Sequence, residues 1–217
     1  MVGVKASPKV RKVAEADFPT RWGAFRIFGF EGGSQDGSGT GAKSDGQPSA
    51  ETLVALVMGD VHSRPPLVRI HSQCLTGDVF GSLRCDCRQQ LELSLSMIAA
   101  EGAGVLVYEK QEGRGIGLAA KLQAYGLQDA GMDTVEANEK LGFKADQREF
   151  ELPAEVLKAL QIREVRLLSN NPQKVAALER AGVKVVERVS CEVEPHARSK
   201  AYLKTKKEKL GHLIGNR

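Results

Sequence analysis

The sequence contains no run approaching the roughly eighteen apolar residues that a membrane-spanning helix requires, which excludes a protein built on such spans. Its opening stretch, MVGVKASPKVRK, lacks the apolar core of a secretory signal. The expected compartment is therefore the reducing cytoplasm, where the four cysteines read as thiols or metal ligands rather than disulfides. The H-x-E and P-C-x-x-C elements of a zinc nucleobase deaminase are both missing, so that reading is set aside. A basic stripe of the kind that binds nucleic acid is missing too. Six cations against Glu208 give residues 198–209 a local charge of +5, so of the chain's net +4 the rest carries −1. A near-neutral body with one basic tail predicts a solvated C-terminal helix or tail over 198–217, able to lend a cation or two to a small polyanion.

What is present is an ordinary globular composition, 41% hydrophobic and 27% charged, in 217 residues. That suits a single domain spanning 1–217. Residues 1–12 are expected to be flexible. FPTRWGAFRIFGF (18–30) and TLVALVM (52–58) read as two strands. Between them lies 31–50, with six glycines, four serines and almost nothing apolar, a loop unable to bury surface. From residue 88 onward helix and strand alternate. Leu91, Leu95 and Ile98 mark one face of a helix ending near Gly102, and Val105–Tyr108 is a strand. Leu118, Leu122 and Tyr125 mark the next helix. Glu164–Leu168 is a strand, Asn171 caps a helix with Pro172 at its first position, and Lys184–Val189 is a further strand. The expected fold class is α/β: a mixed sheet flanked by helices, with an antiparallel N-terminal strand addition.

Two segments carry chemistry. Cys74, Cys85 and Cys87 form a C-x10-C-x-C arrangement. Three thiolates suit a zinc ion held at about 2.3 Å, with the fourth position either open to water or filled by a residue such as His71. Spacing alone leaves the open, catalytic site and the closed, structural one equally favoured. The second segment, QEGRGIG (111–117), stands between a strand and a helix, and its glycines allow a tight turn onto a helix N-terminus. It is neither a P-loop nor G-x-G-x-x-G. Arg114 within it can make a bidentate phosphate contact.

RIHSQCLTGDVFGSLRCDC, YEKQEGRGIGL, YGLQDAGMDTVEANEKLGFKADQREF and RLLSNNPQKVAALERAG, in that order and spacing, resemble GTP cyclohydrolase II. The likeness runs over about residues 13–214 and includes the terminal YLKTKKEKLGHLI. It implies Cys74, Cys85 and Cys87 as ligands of one Zn²⁺. It also implies that GTP lies against Arg69, Ile70, His71, Ser72, Gln73, Gln90, Glu112, Gly113, Arg114, Thr134, Ser169 and Lys174. Asp146 takes the family's general-base position, and Arg148 that of a nucleophile toward the α-phosphate. A guanidinium stays protonated at ordinary pH, so stabilising phosphate charge is the alternative role for Arg148. Tyr125 is the candidate for orienting water or the opened formamide, and Glu112 the candidate acceptor for the guanine N1–H and N2–H. Gln73 stands where many relatives have Glu, which removes a carboxylate beside the metal, and Ser169 where they often have Thr.

The implied reaction opens the guanine imidazole ring, releases formate and cleaves pyrophosphate as the first step of riboflavin biosynthesis. Mg²⁺ is expected on the triphosphate, and a homodimer is the family's expected assembly. Two other readings are a related enzyme that keeps the formyl group and a non-catalytic zinc-stapled nucleotide sensor. The presence of both Asp146 and Arg148 weighs against the sensor.

Overall fold

A computed structural model describes residues 9–33 and 51–215. Residues 1–8, 34–50 and 216–217, on which parts of the expected flexible start, loop and tail fall, lie outside the described residues. The strands are β1 (Lys9–Thr20), β2 (Gly23–Gly33), β3 (Glu51–Met58), β4 (Leu67–Ser72), β5 (Gly104–Glu109), β6 (Glu164–Leu168) and β7 (Lys184–Val189). They form one sheet in the order β1-β2-β3-β5-β4-β6-β7. β1, β2, β3 and β5 pair antiparallel, whereas β5, β4, β6 and β7 pair parallel. The mixed sheet with an antiparallel N-terminal flank is therefore present. The helices are α1 (Leu75–Asp78), α2 (Cys87–Glu101), α3 (Gly117–Asp129), α4 (Thr134–Lys140), α5 (Glu151–Ala159), α6 (Pro172–Arg180) and α7 (Lys200–Leu210).

Strand alternation divides the core between the two faces of the sheet. Leu53, Ala55, Val68, Ile70, Val105 and Val107 face α5 and α6, which contribute Ala154, Leu157, Ala177 and Leu178 to the same cluster. Met58, Leu67 and Leu106 face the other way, onto Leu95 and Ile98 of α2. The stripe Leu91, Leu95, Ile98 thus packs inward as expected, and Gly102, left-handed at φ 72°, ends the helix. In α6, Asn171 accepts from the Gln173 N–H and Pro172 occupies the first turn, again as expected.

Four expectations need correction. The single strand over 18–30 is the end of β1, a turn at Arg21–Trp22, and most of β2. Gly23 sits at φ +127°, open to glycine alone, and that fold-back makes the hairpin possible. Residues 9–12 belong to β1, and Glu31–Gly33 to β2, so neither stretch is loop. On α3, Leu122 is 51% exposed, whereas Ala124 is buried; the inward face is rotated from the one the leucine spacing implied. The basic C-terminal segment is a helix but is not merely solvated, since Thr205 and Lys206 are buried.

In parallel sheets, ligands bind just beyond the carboxyl ends of the strands. Here β4 runs into Gln73 and Cys74, β5 into Gln111–Arg114, and β6 into Ser169–Lys174. These are the segments singled out for chemistry, gathered along one edge.

Candidate functional site

The three cysteines come together around Gly77. Cys74 Sγ and Cys85 Sγ are 3.7 Å apart, and one ligand atom from each of Cys74, Cys85 and Cys87 lies within 4.8 Å of the others. Sulfurs tetrahedral about one zinc at about 2.3 Å would stand about 3.8 Å apart, so the spacing fits. Glycine at 77 makes the cradle possible: a Cβ there would lie 2.9 Å from Cys85 Sγ and 3.1 Å from Cys74 Sγ. Hydrogen bonds from Cys85 and then Cys87 hold the Cys74 thiol far below the ordinary thiol range. The same contact with Cys74 pushes Cys85 up to about 11. Three thiols that cannot all ionise together are what a soft dication would resolve, since it binds thiolates. The cluster can therefore hold a metal ion. His71 is not a fourth ligand. Its Nε2 contacts both carboxylate oxygens of Asp78 at 3.1 Å, its ring stacks on Tyr108, and Asp78 also accepts from the Cys74 N–H. Cys191 is buried elsewhere, 3.5 Å from Ser94 Oγ.

A charged network supports the cysteine loop from α3. Lys121 Nζ donates to Cys74 Sγ (3.2 Å), Thr76 Oγ1 (2.9 Å) and Glu112 Oε1 (2.7 Å). The other oxygen of Glu112 accepts from the Leu75 N–H at 2.6 Å, and the Gly113 N–H also reaches Oε1. Glu112, expected to accept from guanine, already has three internal donors and is 8% exposed. It holds the cysteine loop against the glycine turn. Tyr125 OH is 3.1 Å from Thr76 Oγ1, and its ring lies under Arg84 and Lys121, beside the cysteines.

Two cavities open at this edge and share Ser72, Cys87, Arg114, Arg148 and Tyr202. One contains the cysteines, with Gln73, Glu112, Gly113, Tyr125 and Thr134 in its wall. The other is lined by Arg69, Arg114, Arg148, Lys174 and Lys206, with His71, Gln90 and Ser169. Among the described residues, five buried side-chain polar atoms lack a partner. Four of them, Arg69 Nε, His71 Nδ1, Arg114 Nη1 and Asn171 Nδ2, belong to residues of this second wall. Arg69 Nε, Arg114 Nη1 and Asn171 Nδ2 are donors, and an unpaired buried donor costs about 1–3 kcal/mol; three around one cation-rich cavity are what an anionic ligand would satisfy.

Local structure accounts for each placement. Alternation along β4 turns Arg69 and His71 to the side of the sheet opposite Ile70, whose side chain is fully buried in the core. Ile70 reaches the site only through its carbonyl, which accepts from Lys174 Nζ at 2.8 Å. Arg69 is anchored by the Leu168 carbonyl (3.1 Å) and Gln90 Oε1 (2.8 Å). Gly113 and Arg114 both adopt left-handed φ, 64° and 63°. For arginine that conformation is uncommon and costs of order 1–3 kcal/mol. It is secured by the Gln147 N–H donating to the Arg114 carbonyl, and a Cβ at Gly115 would crowd the Gln147 backbone at 3.2 Å. The turn thereby locks onto the segment carrying Asp146 and Arg148. Asp133, with Glu136 in a reciprocal cap, fixes the start of α4 and sets Thr134 Oγ1 3.4 Å from Arg114 Nη2.

Asp146 and Arg148 form a part-buried pair rather than a surface one, their side chains 9% and 13% exposed. Both Asp146 oxygens receive Arg148 Nε, and Nη2 lies 2.5 Å from Oδ2. Burial opposes the Asp146 charge, yet the Arg148 hydrogen bonds outweigh it and hold the carboxyl below its usual range. Only Arg148 faces the cavities; Asp146 stands behind it. Lys174, 4% exposed, is pushed well below the ordinary lysine range by burial, against the attraction of Glu109.

Sequence reasoning missed four contributors: Lys121, Asn171 as a cavity residue, Tyr202 and Lys206. Lys206 Nζ pairs with Asp86 Oδ1 at 2.7 Å, between two of the cysteines in sequence, and Tyr202 lies against both Arg114 and Lys206. A signal existed. Tyr202, Lys206 and Leu210 follow i, i+4, i+8 spacing, one helical stripe whose apolar ends flank a lysine, and all three line the cation-rich cavity.

The family model described as GTP cyclohydrolase II matches residues 11–190. The GTP cyclohydrolase-2 of Buchnera aphidicola subsp. Acyrthosiphon pisum (strain APS) is 51% identical over 203 residues, which cover 93% of this chain and 97% of that one. The GTP cyclohydrolase-2 of Enterobacter sp. (strain 638) is 51% identical over 207 residues, 95% of this chain and 98% of the relative. The riboflavin biosynthesis protein RibBA of Chlorobium phaeovibrioides (strain DSM 265 / 1930) is 50% identical over 212 residues. Those residues are 97% of this chain but 48% of RibBA, so the chain spans about half of that relative.

Proposed function

Because the chain belongs to the GTP cyclohydrolase II family, we propose that it hydrolyses GTP to 2,5-diamino-6-(5-phosphoribosylamino)pyrimidin-4-one, formate and pyrophosphate, the first step of riboflavin biosynthesis. The observation that carries this reading is the junction of the two cavities: a three-thiol cluster at metal-binding spacing opens directly onto a pocket of five cations. A nucleoside triphosphate needs both, the cluster at its base and the cations at its phosphates. The proposed metal is one Zn²⁺ on Cys74, Cys85 and Cys87. Bound there, it would supply Lewis acidity for the attack of water on the electron-poor carbon between the imidazole nitrogens.

The chain's own residues do the rest. Arg69, Arg114, Arg148 and Lys174 meet the phosphate charge, and Mg²⁺ arrives as part of the substrate. Arg148 keeps its proton, since Asp146 grips Nε and Nη2 and favours the cation. That leaves Nη1, 3.5 Å from Ser72 Oγ, facing the cavity to stabilise charge that develops on phosphate. Asp146 acts through Arg148 as a positioning residue. Tyr125 orients water or the opened formamide beside the cysteines. Lys121, donating to Cys74 Sγ, tempers the negative charge of three thiolates. The enzyme is further proposed to be cytoplasmic and homodimeric.

Formate and pyrophosphate assayed separately after incubation with GTP test the reading, which requires one of each per GTP consumed. Pyrophosphate without formate would favour the enzyme that retains the formyl group; neither product would favour a nucleotide sensor.

A further inference from the structure

Two consecutive asparagines follow β6, and they are used differently. Asn170 turns inward: its Oδ1 accepts from the Cys191 N–H at 2.9 Å, and its carbonyl accepts from the Leu213 N–H. Asn171 caps α6. Its Oδ1 accepts from the Gln173 N–H at 2.9 Å, its own N–H donates to Ser169 Oγ at 3.1 Å, and its carbonyl accepts from the Lys174 N–H at 3.2 Å. The cap fixes which end of the amide is oxygen, so Nδ2 is the one polar atom of Asn171 left without a partner. The residue is 4% exposed and lines the cation-rich cavity beside Lys174.

The start of α6 is otherwise short of donors. Pro172 has no N–H, the Gln173 N–H is taken by the cap, and the Lys174 N–H points back to Asn171. The nine-residue helix brings the positive end of its dipole to the cavity, but not the free backbone donors that usually accompany it. Side chains must replace them. The lysine ammonium is one, and the unpaired amide is the other.

We infer that Asn171 is a phosphate ligand: its Nδ2 donates to an oxygen of the substrate's polyphosphate at the N-terminus of α6, alongside Lys174. The inference rests on the proposed function and names the donor that serves this end of the cavity. A neutral donor between cations adds direction without adding repulsion among Arg69, Arg148 and Lys174.

Asn171→Ser and Asn171→Asp provide the test, because serine and aspartate cap helices about as well as asparagine. Both keep the cap and remove the Nδ2 amide, leaving a shorter hydroxyl in serine and no donor in aspartate. Binding of GTP, inorganic tripolyphosphate and guanosine is measured by calorimetry, with melting temperature as the check on folding. The expected result is about tenfold weaker GTP binding for Asn171→Ser and about a hundredfold for Asn171→Asp, which adds a repelling charge. Tripolyphosphate should weaken in parallel and guanosine stay unchanged. In the wild type, the Asn171 side-chain amide signals in a ¹⁵N NMR spectrum should shift when tripolyphosphate is added. Triphosphate affinities within twofold of wild type in a folded variant, or an amide that does not respond, overturn the assignment. A wild-type protein that neither binds nor turns over GTP would instead overturn the proposed function, before any variant is compared.

Discussion

Replacing Gly77 by alanine adds one methyl group to the centre of the cysteine cradle. Its Cβ would stand 2.9 Å from Cys85 Sγ, closer than real Cβ contacts come, and 3.1 Å from Cys74 Sγ and 3.2 Å from the Cys87 Cβ, both tight enough that these neighbours must give way. The backbone offers no other objection. Gly77 lies in α1, is not among the glycines with positive φ, and alanine is the better helix former. Any penalty must therefore come from the sulfurs. Overpacking of this kind costs about 1–3 kcal/mol, which at 1.4 kcal/mol per tenfold weakens zinc binding by about 5- to 150-fold. Competition against a chromophoric chelator reads the affinity, and formate release at limiting zinc should fall with it. Gly126→Ala is the control. That glycine lies in α3 with nothing within 4 Å of its would-be Cβ, so the change should leave zinc affinity alone. An unaltered zinc affinity in Gly77→Ala would refute the idea that these three sulfurs converge on one ion.

Three further outcomes are expected. Arg148→Ala should release neither formate nor pyrophosphate, whereas metal-stripped wild type should still release some pyrophosphate; formate at normal rate from the variant would remove Arg148 from the phosphate step. Lys206→Met should strand the buried Asp86 carboxylate and lower stability by about 3–5 kcal/mol. Burial opposes the Asp86 charge, but Lys206 outweighs it and depresses the carboxyl. The stabilisation is therefore present above the ordinary aspartate range and lost as pH falls through the depressed value, so denaturant titrations of the two proteins should converge in acid. Glu112→Gln should loosen the Leu75 and Lys121 contacts and reduce zinc retention while leaving the GTP-over-ATP preference ratio intact; a collapse of that ratio in steady-state kinetics would return Glu112 to base recognition.

The parts of the fold legible in the sequence are those where local and tertiary demands agree. β6, α6 and β7 follow from a short Val/Leu segment, an Asn-Pro cap and a valine-rich run, and the structure has both strands at the expected bounds and α6 starting at Pro172. β4 went unread because LVRIHS places Arg69 and His71 inward, among the signals a strand pattern should exclude, and they face inward because a ligand cavity lies there. The hairpin turn at Arg21–Trp22 carries no Asn-Gly or Asp-Gly signature, so residues 18–30 read as one strand. α7 read as a solvated charge run, since nothing in a lysine count marks Lys206 as the one that meets a buried aspartate from 120 residues away. The cysteine cluster was legible because its ligands are close in sequence. Lys121 was not, because only the docking of α3 brings it to Cys74.

The central claim is that the three-cysteine metal site opens the guanine ring while the adjoining cations hold the phosphates. Zinc titrated back into chelator-stripped protein, with formate and pyrophosphate counted in the same reaction on GTP, tests it most directly. Formate should rise in proportion to zinc and level off at one equivalent per chain, ahead of any comparable rise in pyrophosphate. Formate release at full rate from protein shown to be free of metal would contradict it.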